Sequence, residues 1–330
     1  MISDALVFDV GGTTLRAGIY RAGSGRVERV VHRDTPTFRT LPGACGDEIR
    51  ERLCRVMDEM GRSICGGRVP GAVSVAFPGP IDPAGGVLAA PTLWGGERGA
   101  DPVPLGESFR RLWPRSRVFV LNDMAAAGYC YRRHPLEDFC ILTVSSGIGH
   151  KVFLNGEPVT GPHGRGGELG HLRVDPSPDA PVCDCGGRGH LGAIASGGAA
   201  IEQVKRLAAQ DPEGFLASPL GRSSGFSLLD NQTIVAAFSS GDPWTDRVIR
   251  RMAGAIGQVL AAVHLALGVE RFVIVGGFAI ALGPRFRDML CAEAAACAWD
   301  LGASWDSMIE LGRSDEDAGL IGAGKHAAER

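Results

Sequence analysis

Lysine is nearly missing from this 330-residue chain: of 34 basic residues, only Lys151, Lys205 and Lys325 are lysines. The formal charge is −3 and no Lys/Arg cluster stands out, so the chain lacks the basic footprint that phosphate backbones or anionic lipid require. Nucleic acid and membrane surfaces are not expected partners. A charged leader with an apolar stretch and a small-residue cleavage site is also lacking, because Ala5-Leu-Val-Phe-Asp9 follows almost at once; a cytoplasmic location is expected. The most apolar window, Phe272 to Leu282, falls short of the roughly 20 residues that cross a bilayer and is broken by Gly276-Gly277. No membrane segment is expected. The nine cysteines are an odd number in a chain too large to need staples, which argues against a disulfide framework and for free core thiols.

What is present is the balance of a folded globular protein, 45% hydrophobic and 22% charged. The length suits two domains. A small N-terminal lobe is expected over 1–121, with a C-terminal helix at about 312–330 folding back on it, and a larger lobe over 122–311. Two stretches are alike, Leu6 to Tyr20 and Ile141 to Leu154, each reading strand, glycine turn, strand, with a second turn at Gly23-Ser-Gly25 or Asn155-Gly156. An internal duplication is the natural reading. Ile49, Leu53, Val56, Met57 and Met60 give a helical stripe over about 47–60. Strands are expected over Ala72–Phe77, ending at Pro78-Gly79-Pro80, and over Val118–Leu121, ending at Asn122-Asp123. In open α/β sheets the ligand crevice lies beyond such carboxyl ends. A helix over about 246–267, a strand over Arg271–Val275, a loop-rich connection over 209–231 and a last helix over about 317–328 complete the reading.

The chemistry starts at Asp9-Val-Gly11-Gly12-Thr13-Thr14, a strand end whose glycines let backbone N–H groups approach a phosphate and whose carboxylate could hold magnesium through water. Ser145-Ser146-Gly147-Ile148-Gly149 offers a second such turn. Either alone could be a plain hairpin; together they suit a clamped nucleotide. Gly319 to His326 nearly matches a phosphate-binding loop, but His326 stands where Ser or Thr is required and no strand immediately precedes it. It reads as an Ala/Gly helix. Asn122-Asp123 places a carboxylate where phosphoryl transfer needs a base, and equally suits a helix cap. His171, Cys183, Cys185 and His190, spaced H-x11-C-x-C-x4-H, offer two thiolates and two imidazoles, a closed tetrahedral shell for structural zinc.

Together these residues resemble the ROK family of repressors, open reading frames and kinases, which includes bacterial glucokinases. The resemblance spans nearly the whole chain and rests on Asp9-x-Gly-Gly-Thr13, Pro78-Gly79 followed by Asp82, Asn122-Asp123, Glu168-x-x-His171, Cys183-x-Cys185-Gly-x-x-Gly-His190 and Gly276-Gly277. It implies an α/β, two-lobed, actin/hexokinase-like (ribonuclease H-like) ATPase fold with the active site in the interlobe cleft, and frequently a homodimer. It further implies Asp123 as general base and Pro78, Gly79, Asn122, Glu168 and His171 at the acceptor, His171 also ligating zinc. ATP and Mg2+ would be held by Asp9, Gly11, Gly12, Thr13, Thr14, Ser146, Gly147, Gly149, Gly276 and Gly277.

Several positions depart from the family's pattern. His190 replaces a third cysteine, Gly192 a glutamate that grips ring hydroxyls near the anomeric carbon, and Thr92 an asparagine; Ser145-Ser146 and His150-Lys151 alter the second turn. Loss of a charge-assisted contact at Gly192 redirects selection at one end of the ring. The expected acceptor is a hexose-like molecule, an amino sugar or a C7-cyclitol, phosphorylated on a primary, C6-type hydroxyl. Ordinary glucokinase is the alternative, as is a non-catalytic sugar sensor; a repressor would carry an N-terminal helix-turn-helix, for which the first strand leaves no room.

Overall fold

The computed structural model describes residues 4–95, 101–313 and 317–330. In chain order the elements are β1 (Asp4–Val10), β2 (Thr14–Arg21), β3 (Arg26–Asp34), α1 (Gly46–Cys65), β4 (Ala72–Phe77), α2 (Pro91–Trp94), α3 (Leu105–Leu112), β5 (Arg117–Asn122) and α4 (Asp123–Tyr131). There follow β6 (Phe139–Val144), β7 (Ile148–Leu154), β8 (Glu157–Pro158), a 3-10 turn (Leu169–His171), α5 (Leu191–Ala195), α6 (Gly197–Gln210), α7 (Pro212–Ala217), α8 (Pro219–Ser224) and α9 (Asn231–Ser239). The chain ends with α10 (Pro243–Leu267), β9 (Phe272–Val275), α11 (Gly277–Cys297), α12 (Trp305–Met308), β10 (Ile309–Leu311) and α13 (Ala318–Glu329).

The expected duplication is visible as topology. One five-stranded sheet runs β3-β2-β1-β4-β5 and the other β8-β7-β6-β9-β10. In each, an antiparallel hairpin (β1/β2, β6/β7) has its first strand paired in parallel with a later one (β4, β9), which pairs in parallel with the last (β5, β10). Every residue of β4 and β9 is buried, as a parallel strand covered on both faces requires.

Two compact units result, one bounded by Met1–Glu137, Asn155–Gly167 and Asp315–Arg330, the other by Asp138–Leu154 and Glu168–Ser314. The junction at 121/122 lies inside the first unit, since α4 continues directly from β5 and packs on α13. Each unit has its own core. In the first, the α1 stripe buries Ile49, Leu53, Met57 and Met60, while Val56 is only half-buried. The C-terminal helix begins at Ala318; residues 314–316 of the span expected for it lie outside the described residues.

The 209–231 segment is more ordered than a loop. Asp211 and Ser218 cap α7 and α8 by accepting from Gly214 N and Gly221 N, and a proline opens each helix. Their composition reads as a loop because cap residues and N1 prolines are also turn residues. A second correction concerns α10, which among the described helices is long and apolar enough to cross a membrane by length and composition. It is longer than the window read from sequence, and it serves as a core helix: Val248, Met252, Ile256, Val259 and Leu260 are buried in the second unit.

The phosphate-loop look-alike is helical, as expected, and its glycines let α13 approach closely. A Cβ at Gly322 would lie 1.6 Å from the Ala126 carbonyl oxygen of α4, and one at Gly324 would lie 2.1 Å from the Tyr20 ring.

Candidate active site and metal cluster

In the first unit, β1 and β2 are joined by a tight turn in which Gly11 N donates to Thr14 O at 3.0 Å. Gly12 and Thr13 are exposed at its tip. Asp9 lies at its base, 3.6 Å from Arg16 and largely buried, with 19% of its side chain exposed. Burial pushes its carboxyl up to about 6; Arg16 lowers it and Asp317 raises it. The start of α13 presses on the same carboxylate, since a Cβ at Gly319 would lie 2.7 Å from it. Thr92 stands beside this turn, 3.7 Å from where a Gly12 Cβ would be.

Asn122 takes the cap role that its sequence allowed, and its neighbour Asp123 opens the same helix. Asn122 is the N-cap of α4: its Oδ1 accepts from Met124 N (3.0 Å) and Ala125 N (3.1 Å). Its Nδ2 donates to Gly79 O at 2.9 Å and to Asp123 Oδ1 at 3.0 Å. Met124 N also donates to Asp123 Oδ1 at 2.8 Å. The carboxylate is thus oriented by two N–H donors at a helix N-terminus. Gly79, next to Pro78, has φ +96° and a Cβ there would lie 1.9 Å from Ala89 O, so no side chain is tolerated.

In the second unit, Ser146 and Gly147 are exposed at the β6–β7 turn, which is closed by Ser145 N donating to Gly147 O at 3.0 Å. Gly149 follows as the second residue of β7. The turn rests on the N-terminus of α6, where Gly197 N donates to Ser145 O at 2.7 Å. Gly276 precedes α11 with φ +97°, and its Cβ would meet Thr143 Oγ1 at 2.5 Å; Gly277 opens the helix with nothing within 4 Å of a Cβ. An exposed, unobstructed helix start of this kind suits an anionic or nucleotide ligand.

Glu168 precedes the 3-10 turn, its carbonyl accepting from His171 N at 2.9 Å. Two residues of β7 hold this turn: Lys151 Nζ lies 3.1 Å from Glu168 Oε1, and Leu169 N donates to His150 Nδ1 at 3.2 Å. His150 and Lys151 are 3% and 1% exposed. The space at Gly192 adjoins the same turn, a Cβ there meeting only Gly170 O, at 3.3 Å.

The ligand atoms of His171, Cys183, Cys185 and His190 all lie within 4.8 Å of one another. Cys183 Sγ is 3.6 Å from His171 Nδ1, and Cys185 Sγ is 3.2 Å from His190 Nδ1. The loop closes on itself through Cys183 N to Gly187 O (2.7 Å) and Gly186 N to Cys183 O (2.8 Å). A Cβ at Gly187 would lie 2.1 Å from the His190 ring, so a side chain there would push that imidazole out of the cluster. Burial foremost, then His171 and Arg173, lowers the His190 imidazole toward its neutral, metal-binding form.

These features have known counterparts. The ROK family pattern matches residues 6–329. The chain belongs to the ROK family. A C(7)-cyclitol 7-kinase of Streptomyces hygroscopicus subsp. limoneus is 40% identical over 337 residues, covering 99% of this chain and 94% of that protein. An N-acetylmannosamine kinase of Haemophilus influenzae strain PittEE is 27% identical, covering 96% of this chain and 93% of its own. The ROK hexokinase structure from Thermus thermophilus matches with a TM-score of 0.72 at 26% identity, over 99% of this chain and 100% of that one. The ROK protein described here therefore has the actin-like sugar-kinase fold and is a kinase of the carbohydrate-phosphorylating class, using ATP.

The sequence reading assigned no site role to four contributors. Arg16 and Asp317 flank Asp9, and Gly319 touches it, although the Gly319–His326 motif had been set aside. Lys151 contacts Glu168; its only sequence signal is a lysine inside a strand of otherwise apolar pattern, in a chain with two others.

Proposed function

We propose that this ROK kinase transfers the γ-phosphoryl group of ATP to the primary, C6-type hydroxyl of a C7-cyclitol or closely similar modified hexose, rather than of plain glucose. Asp123 is the base. Its carboxylate takes the hydroxyl proton as the new O–P bond forms and the bond to ADP breaks, a step that needs positioning and charge more than covalent help from the protein. The carrying observation is the Asn122-Asp123 arrangement, in which one residue caps the helix and anchors Gly79 while orienting the other's carboxylate. Pro78, Gly79, Asn122, Glu168 and His171 bind the acceptor. The choice of acceptor is supported by Gly192, which leaves a glutamate's place vacant beside the Glu168 turn, and by the 40% identity to a C(7)-cyclitol 7-kinase.

ATP with Mg2+ would be held by Asp9, Gly11, Gly12, Thr13, Thr14, Ser146, Gly147, Gly149, Gly276 and Gly277. The paired, glycine-opened turns and the buried Asp9 carboxylate fit that assignment. The four-residue Cys/His cluster has the donor set and spacing for Zn2+. Such an ion would be structural, since four protein ligands leave no position for water, and it would fix the ring of His171. A cytoplasmic homodimer completes the reading, supported for the compartment by an odd cysteine count that argues against a disulfide framework and by family resemblance for the assembly.

ADP release is the test, with ATP and Mg2+ against glucose, mannose, glucosamine, N-acetylmannosamine, kanosamine and a C7-cyclitol. Turnover on the cyclitol should exceed that on glucose, and Asp123→Ala should lower it by about 10^2- to 10^4-fold. Equal turnover by Asp123→Ala would remove Asp123 as base, and silence across the panel would favour a sugar sensor. Metal analysis should give one zinc per chain, lost in Cys183→Ser.

A further inference from the structure

The His150-Lys151 pair lies in β7, just after the second glycine turn, and neither side chain reaches solvent. A lysine that is 1% exposed carries a desolvation cost of several kcal/mol unless an anion compensates it. Glu168 supplies that anion at 3.1 Å, with 34% of its own side chain still exposed. The cation is therefore buried and the anion half-presented, an asymmetry that a pair serving packing alone would not need. The neighbouring His150 accepts from Leu169 N, so adjacent residues of β7 fix adjacent residues of the turn that carries Glu168 and His171.

We infer that Lys151 is a positioning residue for the acceptor. It holds the Glu168 carboxylate in one rotamer, with His150 locking the backbone beneath it, so that Glu168 meets the acceptor hydroxyls preorganised. This inference rests on the proposed role of Glu168 as an acceptor ligand. A preorganised carboxylate loses less freedom on binding and keeps its charge-assisted hydrogen bond short. The effect falls on acceptor affinity, because Lys151 acts on the acceptor through Glu168.

The test compares Lys151→Met, Glu168→Gln and the double variant, measuring KM for a C7-cyclitol, KM for ATP and kcat, together with calorimetric binding of the cyclitol without ATP. Methionine is a near-isostere and leaves Glu168 solvated, so folding is expected to survive, as thermal melting will register. Lys151→Met should raise the cyclitol KM and Kd about tenfold while ATP KM and kcat change less than about twofold. The double variant should be no worse than Glu168→Gln alone, since Lys151 acts through Glu168. Should Lys151→Met fail to fold, Lys151→Gln takes its place with the same comparisons. An unchanged cyclitol KM in Lys151→Met beside a raised one in Glu168→Gln would overturn the positioning role, as would additive losses in the double variant. An unchanged KM in Glu168→Gln would instead overturn the reading of Glu168 itself, and the inference with it.

Discussion

At the scale of single residues, the chemistry of this kinase is carried by groups whose backbone surroundings leave little choice. Gly79 and Gly276 have positive φ and carbonyl or hydroxyl oxygens where a Cβ would be, so neither position tolerates a side chain. Gly192 is different: a Cβ there would meet one atom, Gly170 O at 3.3 Å, which needs to give by only a few tenths of an ångström. Gly192→Glu should therefore be accommodated and should raise kcat/KM for glucose relative to a C7-cyclitol; an unchanged ratio in a competition assay would detach this position from specificity. The Asn122 cap was legible in sequence because an amide or carboxylate at a strand end suits a helix start. Lys151 was not. Its meaning comes from a partner 17 residues away, and a lone lysine in a strand gives no hint of whether it is buried.

At the scale of elements, the strands and long helices follow from pattern, and β4 begins and ends where the apolar run does. The failures have a common cause: α7 and α8 are a single turn or two, held by caps rather than by periodicity. The tight seating of α13 was also hidden, because an Ala/Gly-rich sequence looks featureless until its neighbour is known. That seating is testable. Gly322→Ala would drive a methyl group into the Ala126 carbonyl and should cost about 3 kcal/mol, read by denaturant unfolding. Gly23→Ala, where nothing lies within 4 Å, should change stability by less than about 0.5 kcal/mol. Equal effects would mean that α4 and α13 are not in close contact.

At the scale of the whole molecule, two buried groups of the first unit give its stability a defined response to pH. His326 lies between the rings of Phe119 and Tyr129, and burial foremost, then Arg330, lowers it to about 4. The unfolded chain, with an ordinary value of 6.5, binds more protons from there down to about 4, so this group's stability is lost as pH falls through that window. Asp9 works the other way. Raised from 3.8 to about 6, it is protonated first in the folded chain, and stability is gained as pH falls between those values. The two slopes oppose each other, so wild-type stability should change little from pH 6 to pH 4. His326→Leu removes one slope: its advantage over wild type should be near zero at pH 7 and reach about 2 kcal/mol near pH 4.5. Superimposable melting profiles would refute this.

The repeated strand order lets each sheet be recognised as one design used twice, yet the two copies are not finished in the same order during synthesis. Strands β1 to β5 leave the ribosome first, but α13, which packs against β1, β2, β4 and α4, follows only after the entire second unit. The early half must wait as an incomplete body while the second unit, made of Asp138–Leu154 and Glu168–Ser314, is completed ahead of it. A nascent chain thus passes through a stage in which the groove awaiting α13 is uncovered, and chaperone engagement is best sought there.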